Sequence, residues 1–403
     1  MLPDSVITRL DGLLRADDEQ RTRLYPGGAA TRQPVHTVYV PADRFGADTI
    51  TDWGAQALAG LDAFGPLPHT DAALTDAVRA KLTREPIEDL RIDFEDGFGN
   101  PGDPAEDEAA RTAATAVARM SIDEKLPAFI GLRMKSLEPA TRARAVRTVD
   151  LFLDTLLPRV ALPAGFRITL PKLTSVAQVE AMVELCASLE STYGIGRLSF
   201  ELQIETPQAV LSADGTVLLA PMLHAAAGRC VGLHYGTYDY SAALGIAAPY
   251  QSMEHPAADQ AKALMQVAVA GTGVTISDGS TNILPLGDAQ AVHAAWQLHY
   301  RLVRRSLERG FYQGWDLHPA QLPTRYAATF AFYQEGLVAA AARVRAYVER
   351  SESSILDEPA TAVALAGYLL RGLDAGALTA EDVQSASGLT LAELAVLGRR
   401  SPS

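Results

Sequence analysis

The stretch Leu90-Arg91-Ile92-Asp93-Phe94-Glu95-Asp96-Gly97-Phe98-Gly99 sets three carboxylates at the end of an apolar run. Read as a strand, it puts Arg91, Asp93 and Glu95 on one face and Leu90, Ile92 and Phe94 on the other. An ionic face closed by two glycines suits the C-terminal end of a strand, where the chain turns sharply and leaves room for a ligand. A solvated face of an exposed amphipathic strand would carry the same pattern, and only its recurrence elsewhere separates the two.

The pattern does recur. Strands are expected at 37–43, 90–96, 128–135, 167–173, 198–205, 230–236, 274–278 and 314–319, separated by helical stretches such as 106–119, 142–157, 176–193 and 289–309. Eight strands with intervening helices predict an α/β fold, a (β/α)8 TIM barrel, over an open doubly wound sheet. No Gly-x-Gly-x-x-Gly follows a strand with a ribose-reading acid behind it, which argues against a dinucleotide fold. Residues 1–34 form an N-terminal helical segment, with a helix over 4–24 as a cap or packing element. Residues 35–325 form the barrel, and 326–403 a helical extension with helices at 330–350, 360–373 and 391–399, the last opened by the capping box Thr390-x-x-Glu393.

In such a barrel the outward strand face packs on helices, and the inward face meets ligand at the C-terminal end. Strand three sets Gly131, Arg133 and Lys135 against Ile130, Leu132 and Met134; strand five sets Ser199, Glu201, Gln203 and Glu205 against Phe200, Leu202 and Ile204. Strand eight sets Gly314, Asp316 and His318 against Trp315 and Leu317, so its acid is expected inside. Opposite charges then meet in the barrel, as desolvated ions must to stay ionised. Strand four spoils the parity: Lys172 falls in step with Ile168 and Leu170 unless Pro171 breaks the register.

Composition limits the chemistry. The 403 residues are 48% hydrophobic and 21% charged with a net charge of -13, a globular make-up opposed to nucleic-acid or anionic-membrane partners. Two cysteines, Cys186 and Cys230, form neither a disulfide framework nor a zinc cluster, and no signal peptide or membrane-length run is present. A cytoplasmic protein acting on small molecules is expected.

Glu205 closes strand five and Asp239 follows strand six. Two carboxylates on successive loops, with room for water and substrate oxygens, suit Mg²⁺, and Arg133 could fix a substrate carboxylate. The structural alternatives are an ion pair of Glu205 with Arg133 and a helix N-cap for Asp239.

Six segments, Asp93-Phe94-Glu95-Asp96-Gly97, Leu132-Arg133-Met134-Lys135-Ser136, Leu170-Pro171-Lys172-Leu173, Ile204-Glu205-Thr206-Pro207, the run Gly236 to Gly245 and Leu317-His318-Pro319-Ala320-Gln321, together resemble the HpcH/HpaI aldolase and citrate lyase beta-subunit superfamily, related to malate synthase and the phosphoenolpyruvate/pyruvate barrels. The resemblance spans residues 35–325. It implies Mg²⁺, with Mn²⁺ as a substitute, on Glu205 and Asp239. It also implies Arg133, Glu95 and Asp96 as catalytic residues beside that metal, and Arg133, Lys172 and Asp93 as substrate-binding ones. The implied reaction makes or breaks a carbon-carbon bond through an enolate, in homo-oligomers whose C-terminal helices cover a neighbouring site. Two departures stand out: Lys135-Ser136 where the family usually has Asn, and Phe94 and Gly97 within the acidic motif. No basic cluster marks a coenzyme-A site, so a free 2-oxo or hydroxy acid is expected as substrate, with its acyl-CoA ester left open.

The general base is not identified. His318 is a candidate against a turn-shaping role; His234 and Tyr235 read as packing residues; Asp357 or Glu358 could reach a partner's site but fit an N-cap better. Two other readings stay open: a phosphoenolpyruvate/pyruvate phosphotransferase, and a barrel that binds a metabolite without catalysis.

Overall fold

The computed structural model describes residues 3–28, 31–349 and 358–398. Eight parallel strands alternate with helices: β1 (His36–Pro41), β2 (Asp89–Asp93), β3 (Phe129–Arg133), β4 (Phe166–Leu170), β5 (Ser199–Ile204), β6 (Cys230–Tyr235), β7 (Thr275–Ser277) and β8 (Gly314–Asp316). Hydrogen bonding runs β7-β6-β5-β4-β3-β2-β1-β8. A single parallel bridge, Ser277 to Gln313, joins β7 to the approach of β8, backed by Asp278 N–H donating to Gln313 O at 2.8 Å. The sheet is therefore a nearly closed TIM barrel, as the alternation predicts.

Strand burial follows from this closure. All five residues of β2 are buried, because one face meets helices and the other lies inside the barrel. Ile92, Leu132, Ile168, Leu202 and Leu233 turn to the helical layer and belong to one continuous core. Inside, Glu201 holds the barrel's centre: it pairs with Arg91 at 2.7 Å, Arg167 at 3.1 Å and His234 Nε2 at 3.3 Å, and accepts from Thr169 at 3.1 Å. Burial resists ionisation of Glu201, yet Arg91 and its other partners hold it well below the usual carboxylate range.

Strand eight departs from the expected parity. Asp316 does not face the barrel interior; it pairs outward with His36 Nδ1 at 2.9 Å, His299 Nε2 at 3.1 Å and the Arg325 guanidinium at 2.9 Å. Trp315 takes the inner position instead, its ring tilted against Tyr39 with centroids 4.4 Å apart and its Nε1–H donating to His234 Nδ1 at 3.3 Å. Alternation fixes only which residues share a face. Here the outer face is the ionic one, because the helices Ala289–Glu308 and Leu322–Glu349 bring the partners that a buried acid needs.

Outside the barrel, the helix Asp4–Leu24 forms as expected but buries none of its residues, so it does not pack as a cap; Ile7, Leu10 and Leu13 are exposed. The helix Leu322–Glu349 crosses residue 325 without a break, its first half buried against the barrel. Among the described residues the helices Pro359–Asp374, Ala380–Ser387 and Leu391–Leu397 follow, the second unanticipated. Both short helices open with a capping box, Thr379 with Asp382 and Thr390 with Glu393. Among the described residues, no helix is long and apolar enough to cross a membrane. Cys186 and Cys230 are buried free thiols.

Candidate active site

The C-terminal mouth of the barrel gathers the expected residues around two cations. Asp93, the last residue of β2, accepts from Arg133 Nε at 2.7 Å and Nη2 at 2.6 Å, and from the backbone N–H of Glu95 and Gly97 at 2.9 Å each. A Cβ at residue 97 would lie 2.6 Å from Asp93 Oδ2, so glycine there allows the loop to close on this carboxylate. All four lone-pair directions of Asp93 are thus occupied by the protein itself. Burial opposes the charge on Arg133, but Asp93 and Glu95 raise its pKa well above the ordinary value. Its guanidinium lies over the Tyr39 ring, 4.8 Å from the centroid, leaving the Nη1 edge toward Glu95 at 3.4 Å.

Lys172 resolves the parity problem of strand four. The strand ends at Leu170, and after Pro171 the lysine adopts a left-handed backbone with φ of 53°. A non-glycine residue there is strained, and the strain is retained where the surroundings demand it. Its N–H donates to Glu205 Oε1 at 2.8 Å, while its side chain returns over the mouth. The ammonium contacts Asp239 and lies 2.8 Å from Asp96, 3.5 Å from Glu95 and 3.7 Å from Glu205. Burial disfavours its charge, but Glu205 and Glu95 outweigh that and raise its pKa above the usual value.

The acids around it titrate unevenly. Burial pushes Glu205 from 4.5 up to about 8, with Lys172 and Arg133 pulling it down and Glu95 and Asp239 adding to the rise. Burial likewise pushes Glu95 up to about 7. Asp96 is penalised by burial, but the Lys172 hydrogen bond holds it below its ordinary value. Among the described residues, the five carboxylates at this mouth, Asp93, Glu95, Asp96, Glu205 and Asp239, form their ion pairs with two cations, Arg133 and Lys172.

This imbalance bears on a metal. Among the described residues, no group of three His, Cys, Asp or Glu side chains stands arranged to hold an ion, and the Lys172 ammonium lies where the acids converge. The donors themselves are all hard oxygens, which suit a divalent cation that keeps several waters. Gln203 Nε2 donates to Glu205 Oε2 at 3.0 Å, and Gln203 Oε1 is buried beside it without a partner, a free oxygen for such water. Glu205 does not pair with Arg133, and Asp239 lies in the first turn of the helix Thr237–Ala243, whose N-cap is Gly236. A Cβ at Gly236 would fall 2.3 Å from Glu205 Cβ, so that glycine makes room for the carboxylate. The residues present fit the cation.

The remaining expectations sort as follows. His318 Nδ1 accepts from Ala320 N–H at 3.1 Å and caps the short turn Pro319–Gln321, the turn-shaping role. Lys135 donates to Phe94 O at 2.8 Å and Gly99 O at 2.6 Å, and so ties down the loop bearing Glu95 and Asp96. The sequence singles out no role for Tyr39, Trp315 or Gln203; alternation places Gln203 on the polar face of strand five, but it assigns Trp315 to the outer face, so nothing in the sequence marks that residue. Asp357 lies outside the described residues, and Glu358 occupies the N-cap position of the helix Pro359–Asp374 without a side-chain bond to it. Beside the acids opens a cleft of about 590 Å³, bordered by Asn100, Lys135, Ser136, Thr141 and Thr206.

Solved structures share this architecture. The Mycobacterium tuberculosis protein CitE, in complex with magnesium, acetoacetate and coenzyme A, aligns over 86% of this chain and 99% of its own with 19% identity and a TM-score of 0.52. The Haloferax volcanii malate synthase magnesium/glyoxylate complex aligns over 90% and 97% with 16% identity and a TM-score of 0.50. The barrel is therefore the one expected from the resemblance to the citrate lyase beta-subunit and malate synthase superfamily. No curated protein sequence matches the chain. The family model described as "Domain of unknown function (DUF6986)" matches residues 14–401, almost the whole length, and the chain belongs to that family.

Proposed function

We propose that this protein is a Mg²⁺-dependent enzyme that makes or breaks a carbon-carbon bond next to a carbonyl, acting on a small 2-oxo or hydroxy acid or its acyl-CoA ester. The observation that carries the reading is the excess of carboxylates over cations at the barrel mouth, set beside a cleft and an arginine. Two proteins of the same fold were crystallised with magnesium and a small oxo acid, which supports the same class.

Glu205 and Asp239 would hold the cation, with Asp96 and Glu95 near it. When bound, the ion supplies a Lewis acid that lowers the cost of negative charge on a substrate oxygen. Arg133 would present its Nη1 edge, the one not gripped by Asp93 and otherwise turned to Glu95, to the substrate carboxylate. Asp93 cannot also bind substrate, since its oxygens are occupied; it positions Arg133, as Tyr39 does from the ring face. Pre-set orientation of this kind lowers the entropic cost of reaching the transition state. Glu95 can move a proton at neutral pH, being raised to about 7 by burial. Enolate formation needs that combination: a proton acceptor, a fixed carboxylate and a place for negative charge to develop.

Thermal-shift and turnover screening of small 2-oxo acids, hydroxy-dicarboxylates and acyl-CoA esters, with and without Mg²⁺, tests this. The expected result is a ligand that stabilises only with metal and is then cleaved or condensed. Phosphate release from phosphoenolpyruvate would instead assign phosphoryl transfer, and metal-dependent binding with no turnover of any candidate would leave a metabolite-binding barrel.

A further inference from the structure

We propose that Lys172 is a tethered cation: its ammonium holds the metal position of the metal-free protein, and a divalent ion enters only by displacing it. This rests on the metal reading above. The lysine does not sit at the rim of the acidic cluster but at its centre, in contact with Asp239 and within 3.7 Å of Glu95, Asp96 and Glu205. The two residues expected to hold the ion are thus both neighbours of one nitrogen.

Two further observations make this a built arrangement. The left-handed backbone at Lys172, strained for any residue but glycine or Asn, aims the side chain back over the mouth. The same residue's N–H donates to Glu205 Oε1 at 2.8 Å, so the segment that carries the ammonium also orients the buried carboxylate. Without a cation at this position, the acids Glu205, Asp96 and Asp239 would crowd one mouth with no positive charge between them, an arrangement folding disfavours. The ammonium supplies that charge while no metal is bound. It cannot remain once a metal takes those oxygens, because the carboxylates' lone pairs and the space between them are shared, and two cations in contact repel.

The displaced side chain has somewhere to go. Lys172 is about one-fifth exposed, its four-carbon stem is flexible, and it borders the cleft lined by Ser136, Thr141 and Thr206. Turned into that cleft, the ammonium faces the place where an acid substrate would enter. Metal binding would thereby both load the site and free a positive group for the substrate, two events coupled by one side chain.

The test compares wild type, Lys172→Met and Lys172→Arg in the full-length protein, by Mn²⁺ electron paramagnetic resonance titration and Mg²⁺ calorimetry at low ionic strength. Removing the competing charge should tighten metal binding in Lys172→Met by roughly tenfold, the scale of a single displaced ion pair. Lys172→Arg should bind no tighter than wild type. Equal or weaker binding by Lys172→Met overturns the proposal while leaving the metal site standing; no binding by any of the three overturns both. Should Lys172→Met not fold, acetylation of wild-type amines by an N-hydroxysuccinimide ester, read by mass spectrometry, decides instead. Labelling of Lys172 should rise several-fold on saturation with Mg²⁺, and unchanged labelling refutes displacement.

Discussion

Glu205→Gln should stabilise the metal-free protein at neutral pH while abolishing its response to Mg²⁺. Glu205 is 2% exposed and its folded pKa rises from 4.5 to about 8 because burial penalises the anion more than Lys172 and Arg133 relieve it. A carboxylate raised in this way contributes stability that is complete below about 4.5, the value in the unfolded chain, and is lost as pH rises through about 8. Between those limits the folded protein keeps a proton that the unfolded chain releases, and stability falls by up to about 1.4 kcal/mol per pH unit. From pH 5 to 7 the loss from this one group is therefore about 2 to 3 kcal/mol, relative to a side chain that does not titrate. The new amide can still accept from Lys172 N–H, and rotation of the Gln203 amide would turn its partnerless oxygen toward the new NH₂. For a chain of this length, about 2 kcal/mol corresponds to a few degrees in Tm. Thermal melts of both proteins in EDTA and in excess Mg²⁺, at half-unit steps from pH 5 to 8, provide the assay. The wild-type Tm should fall more steeply than that of the variant, Glu95 contributing to both slopes, and Mg²⁺ should restore only the wild type. Parallel melting curves in EDTA would refute the argument that a buried, undercompensated Glu205 lies at the mouth.

Asp239→Asn, changing a half-exposed acid, should weaken Mn²⁺ binding at least tenfold with a Tm shift under about 2 °C, as measured by titration and melting on the same sample. Arg133→Lys loses the fork that Asp93 grips, and kcat/KM for the screened substrate should fall by about a hundredfold or more, whereas metal affinity should hold. Asp316→Asn leaves Arg325 and two histidines without their anion on the outer face of β8; denaturant titration should register a loss of about 3 kcal/mol with metal binding unchanged. Lys135→Met frees the loop from Phe94 to Gly99, and hydrogen exchange there should rise while exchange in β5 does not.

Alternation alone established much of this protein. Leu90 to Asp96 carries its ions on every second residue, and repeated strands with helices between them admit few folds other than a barrel whose polar faces turn inward. That was enough to bring Arg91, Asp93, Arg133 and Glu201 inside and to put Glu95, Asp96, Glu205 and Asp239 at strand ends. The N-terminal helix and the Thr390 capping box were legible too, being local matters of periodicity and end chemistry.

Parity, however, is relative, and which face looks inward is a property of the assembled layers. Asp316 faces out because His36, from the other end of the barrel sequence, and His299 and Arg325, on the helices either side of β8, meet it there, and Trp315 faces in because Tyr39 and His234 leave it a place. For Lys172 the sequence offers only Pro171 as a sign that the register breaks; the left-handed turn that reverses the direction strand periodicity assigns to it belongs to the folded mouth. Only in three dimensions do five acids arrive at one mouth with two cations among them, and the low dielectric of that mouth, rather than any residue's own chemistry, lifts Glu205 and Glu95 far above ordinary carboxylates.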